Sequence, residues 1–129
     1  GITPVIYFQD STKLSSKTVD LIYSPKRPIF NYTESIKEEY LENKEYSSFI
    51  MDSNETVNII DFVNWLKANE YNYTDSDIDK DWGHVKNRII AELANKIFDR
   101  RFYYKTLIMN DKTVLEALNY FDEAKTLLN

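Results

Sequence analysis

Cysteine is absent from this chain of 129 residues, glycine occurs only as Gly1 and Gly83, and proline only as Pro4, Pro25 and Pro28. No disulfide framework, thiolate metal site or cysteine nucleophile is therefore available. Two isolated glycines cannot build the glycine-rich loops that cradle phosphates. The single histidine, His84, has no second imidazole with which to hold zinc, and general-base work would need a partner in reach. A boundary position in the first turn of a helix is the plainer reading. No apolar run approaches a membrane span and no basic-then-apolar signal segment opens the chain, so membrane insertion by this segment is not expected.

What is present is a globular composition. Apolar residues make up 43%, aromatics 15%, and the net charge is −5, too apolar and too weakly charged for a disordered chain. One domain over 1–129 is the natural count, long enough to bury a modest core. Charge is uneven: residues 52–82 carry eight acids against two bases, and 83–129 carry eight bases against six acids. So mild an excess is far from a nucleic-acid footprint, and no nucleic-acid partner is expected. Lys96, Arg100, Arg101 and Lys105 read instead as cations that meet the dipole at a helix end.

Val5, Ile6, Tyr7 and Phe8 form a short β-branched and aromatic run between Pro4 and a polar turn, the pattern of a buried strand. Its backbone needs a partner, and only 48–51 offers a poor one. The strand is expected to complete a sheet from elsewhere, or to pair two copies edge to edge as a homodimer. Residues 17–23 read as a short helix or extended segment, and Pro25 and Pro28 bracket a loop. An amphipathic helix is expected over 30–43, with Phe30, Tyr32 or Thr33, Ile36, Tyr40 and Leu41 inward. A loop through 51–55 leads to a helix over 56–69, capped by Ser53 or Asn54, with Ile59, Ile60, Phe62, Val63 and Leu66 inside. A polar linker over 70–79, with Thr74 or Asp75 as cap, precedes the clearest signal. Trp82, Val85, Ile89, Leu93 and Ile97 recur at helical steps, widened by Ile90, Ala94 and Phe98. After a charged break at Asp99, Arg100 and Arg101 comes a short helical run over 102–108. A last helix follows, capped by Asn110 or Asp111 and carrying Val114, Leu115, Leu118, Phe121 and Leu128. The fold class is mainly α: a bundle of about four to five helices over 17–129, preceded by one short β-strand and turn over 1–16.

The alternating Asp75, Asp77, Asp79 and Asp81 have the rhythm of a calcium loop but not its content. Neither register places Gly sixth or Glu twelfth, as an EF-hand requires. Acids at a helix start explain them better. Ser16 beside Lys17, and Ser35 near Lys37, fall in turn or exposed helix, where lysine stays charged and cannot serve as a base.

Both ends of the chain carry a family likeness. Val85 and Lys86, then 88–94, then Tyr103 and Tyr104, then Asp111, Val114, Ala117 and Leu118 follow one pattern in order and without a gap. Gly1, Ile2 and Pro4, followed by Asp10 with Ser11 or Thr12, match a Gly-Ile-x-Pro strand and its turn, although Gly1 reads equally as a tag remnant. In these residues the chain resembles the C-terminal region of the carboxyl-terminal processing (tail-specific) serine peptidases, notably envelope enzymes of Bacteroidetes-like bacteria. It departs at Val5, where an acid is expected, at Ile97 and Phe98 in place of Leu-Trp, and at Asn95 and Lys96 in place of an Arg with a small or acidic neighbour. The middle, 17–81, agrees only in layout.

The resemblance implies an accessory region that packs on an upstream peptidase core or mediates dimerisation, located in the periplasm or cell envelope. The family's Ser nucleophile and desolvated Lys base and its PDZ module lie upstream of the Gly-Ile-x-Pro strand. No catalytic, cofactor-binding or metal residue and no cofactor is thus expected in this chain, which is read as no enzyme by itself. The alternative is a free-standing helical module that binds a protein or peptide.

Overall fold

A computed structural model describes residues 13–109, which are mainly helical. The expected strand at 5–8 and the expected last helix beyond 110 both lie outside the described residues. In chain order the elements are α1 (Ser16–Tyr23), α2 (Pro28–Ile36), a 3-10 turn (Lys37–Tyr40), α3 (Tyr46–Thr56), α4 (Ile59–Ala68), α5 (Asp75–Ile78), a second 3-10 turn (Asp79–Asp81), α6 (Trp82–Ile97) and α7 (Arg100–Met109). The expected four to five helices are thus divided into more, shorter pieces.

Local chemistry sets most of the boundaries. The Ser15 side chain accepts from the Thr18 backbone N–H and opens α1, which settles the 17–23 segment as helix. Pro28 occupies the first turn of α2, where its missing N–H costs nothing, so the loop ends at Arg27 rather than enclosing Pro28. Beyond Ile36 the chain tightens to 3-10, in place of the single helix expected over 30–43. Tyr40 stays buried, but Leu41 turns outward and is 49% exposed. Thr74 and Asp77 form a reciprocal capping box at α5, as the Thr74 expectation required.

Several expectations fail in the middle of the chain. Residues 48–51, considered as strand, and 51–55, considered as loop, both lie within α3. Its apolar content is thin, yet Phe49 and Ser53 are fully buried one turn apart, and the Ser53 hydroxyl donates to the Phe49 carbonyl at 2.8 Å. The next helix starts at Ile59 rather than 56. Its cap is Asn58, whose side chain accepts from the Asp61 N–H at 2.9 Å, not Ser53 or Asn54. Ile60, expected inside, is 65% exposed.

The organising element is α6, which buries Val85, Ile89, Ile90, Ala91, Leu93 and Ala94. Phe49 from α3, Phe62 and Leu66 from α4, Leu21 from α1 and Ile78 from α5 complete a single core. Aromatic contacts extend it at both ends: Tyr32 meets Phe62 and Trp65, while Phe49, Phe98, Tyr46 and Phe102 form a second cluster. Only Phe98 and Asp99 separate α6 from α7. The pair therefore folds as an antiparallel hairpin, pinned near its far end where the Asn87 side-chain amide donates to the Leu107 carbonyl at 3.3 Å.

Candidate functional site

One carboxylate fixes the position of α1. Asp81 is 8% exposed and accepts the Ser15 backbone N–H at 3.0 Å and the Thr18 hydroxyl at 2.8 Å. Burial pushes its pKa up. The bonds from Ser15 and Thr18, with help from Lys80, outweigh that and hold the carboxyl below its ordinary value. The alternating acids therefore divide by role: Asp77 closes the capping box, Asp81 tethers α1, and Asp75 and Asp79 are exposed. Among the described residues no group of three His, Cys, Asp or Glu is placed to hold a metal ion.

This tether positions α1 and the turn after it along the flank of the α6–α7 hairpin. The turn is closed by the Arg27 N–H donating to the Ser24 carbonyl at 3.0 Å, and Arg27 itself is left-handed, with φ 52° and ψ 56°. A residue before proline avoids the right-handed helical region, but the left-handed one costs a non-glycine residue about 1–2 kcal/mol. The guanidinium then lies 3.9 Å from the Phe30 ring centroid.

Between this turn and the hairpin runs a groove. Arg88, Glu92 and Asn95 line it from α6, and Arg100, Tyr103 and Tyr104 from α7. Positions i, i+4 and i+7 on one helix thus face positions i, i+3 and i+4 on the other. The main hollow measures about 440 Å³, and a smaller one of about 120 Å³ adjoins it through Arg27, Arg88 and Tyr103, floored by Ile22 and Ile29.

Three guanidinium groups meet this groove. Arg88 Nη1 lies 3.5 Å from the Tyr103 hydroxyl, and Arg100 Nη2 donates to the Tyr104 hydroxyl at 3.1 Å. Arg88 also stands 5.8 Å from the Tyr23 ring, which is 67% exposed. Arg88 Nε is buried without a hydrogen-bond partner among the described residues. None of the three arginines forms an ion pair with a described carboxylate, whereas Arg101 is held by Asp99 at 2.8 Å and Lys96 by Glu34 at 3.1 Å.

The expectation that four cations serve one helix end holds only for Lys96, in the last turn of α6. Its ammonium is nearly buried, paired off the hydrogen-bond line with Glu34 and, at 3.9 Å, with Glu92, and stands 3.3 Å from the Phe30 centroid. Arg100 and Arg101 open α7, the positive end of its dipole, where a cation is disfavoured. Asp99 compensates Arg101 through bonds to its side chain and backbone N–H. Lys105 lies 5.1 Å from the Tyr46 ring. Arg100 donates to the Tyr104 hydroxyl and feels the charge of Glu92 more weakly.

A second hollow lies elsewhere, between α2, the first 3-10 turn and α4. It encloses about 680 Å³ and is lined by Glu39, Glu55 and Asp61 beside Tyr32, Tyr40 and Trp65, with no basic residue. The Tyr40 hydroxyl meets that of Thr56 at 2.6 Å. Burial, then the charge of Asp61, raises the Tyr32 phenol well above its ordinary value.

The other residues singled out in the sequence are engaged locally. The Ser35 hydroxyl donates to the Tyr32 carbonyl at 2.6 Å, Lys37 pairs with Glu34 at 3.1 Å, and Lys17 sits 5.6 Å from the Tyr73 ring. His84 is half-buried in the first turn of α6. Comparison with family models, curated proteins and solved structures finds no match to this chain.

Proposed function

We propose that the chain acts by contact rather than by chemistry, as an accessory region of a carboxyl-terminal processing serine peptidase. What supports this reading is the place of the residues behind the likeness. Val85, Ile89, Ile90, Leu93 and Ala94 form the inner face of the α6–α7 hairpin, and Arg88, Tyr103 and Tyr104 line its outer groove. A pattern that alternates core-forming and groove-forming positions in this way suits a hairpin that packs on one side and presents a surface on the other. The role in the parent enzyme would be to dock on the peptidase core or to shape the path of partners towards it. The coding sequence upstream of Gly1 tests this. A Ser/Lys peptidase core in the same reading frame is the expected result, and an upstream frame encoding anything else overturns it.

The second reading is a free-standing helical module that binds a protein or peptide. The observation in its favour is the enclosed core: Leu21, Phe49, Phe62, Leu66, Ile78, Ile89 and Leu93 are all fully buried within this chain. Such a core can hold a unit together without help from a neighbour. Both readings give the chain a partner-facing surface, and they differ in whether that surface works beside a protease.

A further inference from the structure

We propose that the groove along α6 and α7 is a binding site for an acidic peptide segment, whose carboxylates are received by Arg88, Arg100 and Arg27. The inference rests on the reading of the chain as a contact unit, under either of its two forms.

Among the described residues none of the three guanidinium groups has a carboxylate at ion-pair distance. Arg100 places a cation at the positive end of α7 and forms no ion pair with a described acid, Glu92 acting on it only from across the groove. Arg27 lines the groove with its guanidinium held 3.9 Å from the Phe30 ring centroid. Arg88 holds a buried Nε with no hydrogen-bond partner among the described residues. A buried donor left unsatisfied is destabilising. Arg101 is the internal contrast: it begins the same helix, but its neighbour Asp99 binds it through two nitrogens, at 3.2 and 2.8 Å.

The ligand class follows from the donors and from the shape. Guanidinium is a planar fork that matches a carboxylate or phosphate oxygen pair. The three forks enter from three elements, and Arg100 lies just under one turn before Tyr103, the residue whose hydroxyl meets Arg88. The donors therefore range along an open trough instead of closing around one small ion. The exposed rings of Tyr23 and Tyr104 flank it, offering flat surface to the apolar stems of acidic side chains. Glu92 lies within the trough and disfavours a dense polyanion. So does the net charge of −5 over the whole chain, which would repel a nucleic acid wherever it ran beyond the groove. A short acidic segment meets the three arginines, against which Glu92 sets a single opposing charge in the lining.

The test is a fluorescence-anisotropy titration of the full chain with a labelled short peptide of alternating Glu and Gly. Its Gln-Gly counterpart, inorganic phosphate and a single-stranded oligonucleotide serve as further probes. The expected result is saturable binding of the Glu peptide that weakens with salt and is absent for the Gln peptide. Arg100→Glu should weaken it roughly tenfold or more, Arg88→Glu similarly, and Arg101→Glu hardly at all. Arg100 is exposed, so its variant is not expected to disturb folding, and a thermal melt checks both groove variants. Equal loss in Arg101→Glu would mean diffuse charge attraction and overturn the site. Phosphate displacing the peptide at matched concentration would make the groove a small-anion site, and tighter oligonucleotide binding would make it a nucleic-acid surface. Either result overturns the peptide. None of these outcomes depends on what the upstream gene encodes, so failure here and failure of the peptidase reading are separable.

Discussion

Among the described residues, two hollows of opposite sign are built differently. The arginine groove lies on the α6–α7 hairpin and draws its cations from three elements. The acidic hollow draws Glu39, Glu55 and Asp61 from the region where α2, the first 3-10 turn, α3 and α4 meet. In the groove, charge sits where local chemistry disfavours it: a cation at a helix start and a guanidinium nitrogen buried without a partner. In the acidic hollow, charge follows local rules at Asp61, while Glu55, in the last turn of α3, is exposed to water. Asp61 lies in the first turn of α4, the dipole end that favours an anion, and its carboxylate accepts the Asn58 side-chain amide at 2.9 Å. The difference teaches which hollow has unmet demands. A surface whose charges are satisfied by its own helix needs no ligand, while one whose charges oppose the helix gains from one.

The two regions share one core, and the largest effect should come from removing that common support. Leu93 is fully buried in α6. Leu93→Ala should destabilise the fold by about 2–5 kcal/mol through lost burial and the cavity left behind. Urea unfolding followed by tryptophan fluorescence and by far-UV dichroism should give coincident, earlier transitions. Separate transitions would show that the hairpin and the rest unfold independently, and would break the premise that the hollows belong to one cooperative unit.

A smaller change should reach one region and spare the other. Asp81 anchors α1, whose Ile22 and following turn form the flank of the groove, but it touches nothing in the acidic hollow. Asp81→Ala should cost about 2–3 kcal/mol, as hydrogen bonds to a buried charge usually do, and should weaken acidic-peptide binding as well. Because the folded-state pKa of Asp81 is depressed, its contribution is present above the ordinary carboxylate range and disappears as pH falls through the lowered value. In the variant that part of the acid-induced loss of stability should be missing, which a series of melts between neutral and acid pH would reveal. An unchanged pH profile would deny Asp81 this role.

How far these regions can be read from the sequence differs for physical reasons. The core face of α6 is plain, because Val85, Ile89, Leu93 and their neighbours repeat with helical period. The Thr74 cap is plain because its chemistry is local. Helix α3 is hidden: Tyr46–Thr56 is rich in Ser, Asn and Asp, which prefer turns, and it becomes helical through the burial of Phe49 and Ser53 by distant partners. Leu41 and Ile60 mislead because a 3-10 turn and a later helix start rotate them outward. The groove was half legible. Arg88, Glu92 and Asn95 share one helical face at visible spacing, and Arg100, Tyr103 and Tyr104 share another, but only the hairpin brings them together with Arg27.

At the acidic hollow, Asn58→Ala should cost about 1 kcal/mol, the usual worth of a helix cap. It should loosen the start of α4 around Asp61 while leaving peptide binding at the groove unchanged. Chemical denaturation and the anisotropy titration, run on the same variant, check the two halves. Loss of binding would mean that the hollows communicate through α4.

The smallest expected effect on stability is the most discriminating. Arg100→Ala removes an exposed cation from the start of α7, together with its bond to the Tyr104 hydroxyl. A residue kept for stability would lower the melting temperature when lost. A residue held against the helix dipole for the sake of a ligand should leave the melting temperature of the free protein unchanged or slightly raised, because the unfavourable dipole interaction goes with it. The same substitution should lower the melting temperature measured in saturating Glu-Gly peptide, since the stabilisation conferred by a ligand follows its affinity. A free-protein melt that does not fall, beside a peptide-bound melt that does, fits the assignment of Arg100 to binding. A drop in both would return Arg100 to an ordinary structural role, and the contrast between the two hollows would lose its strongest support.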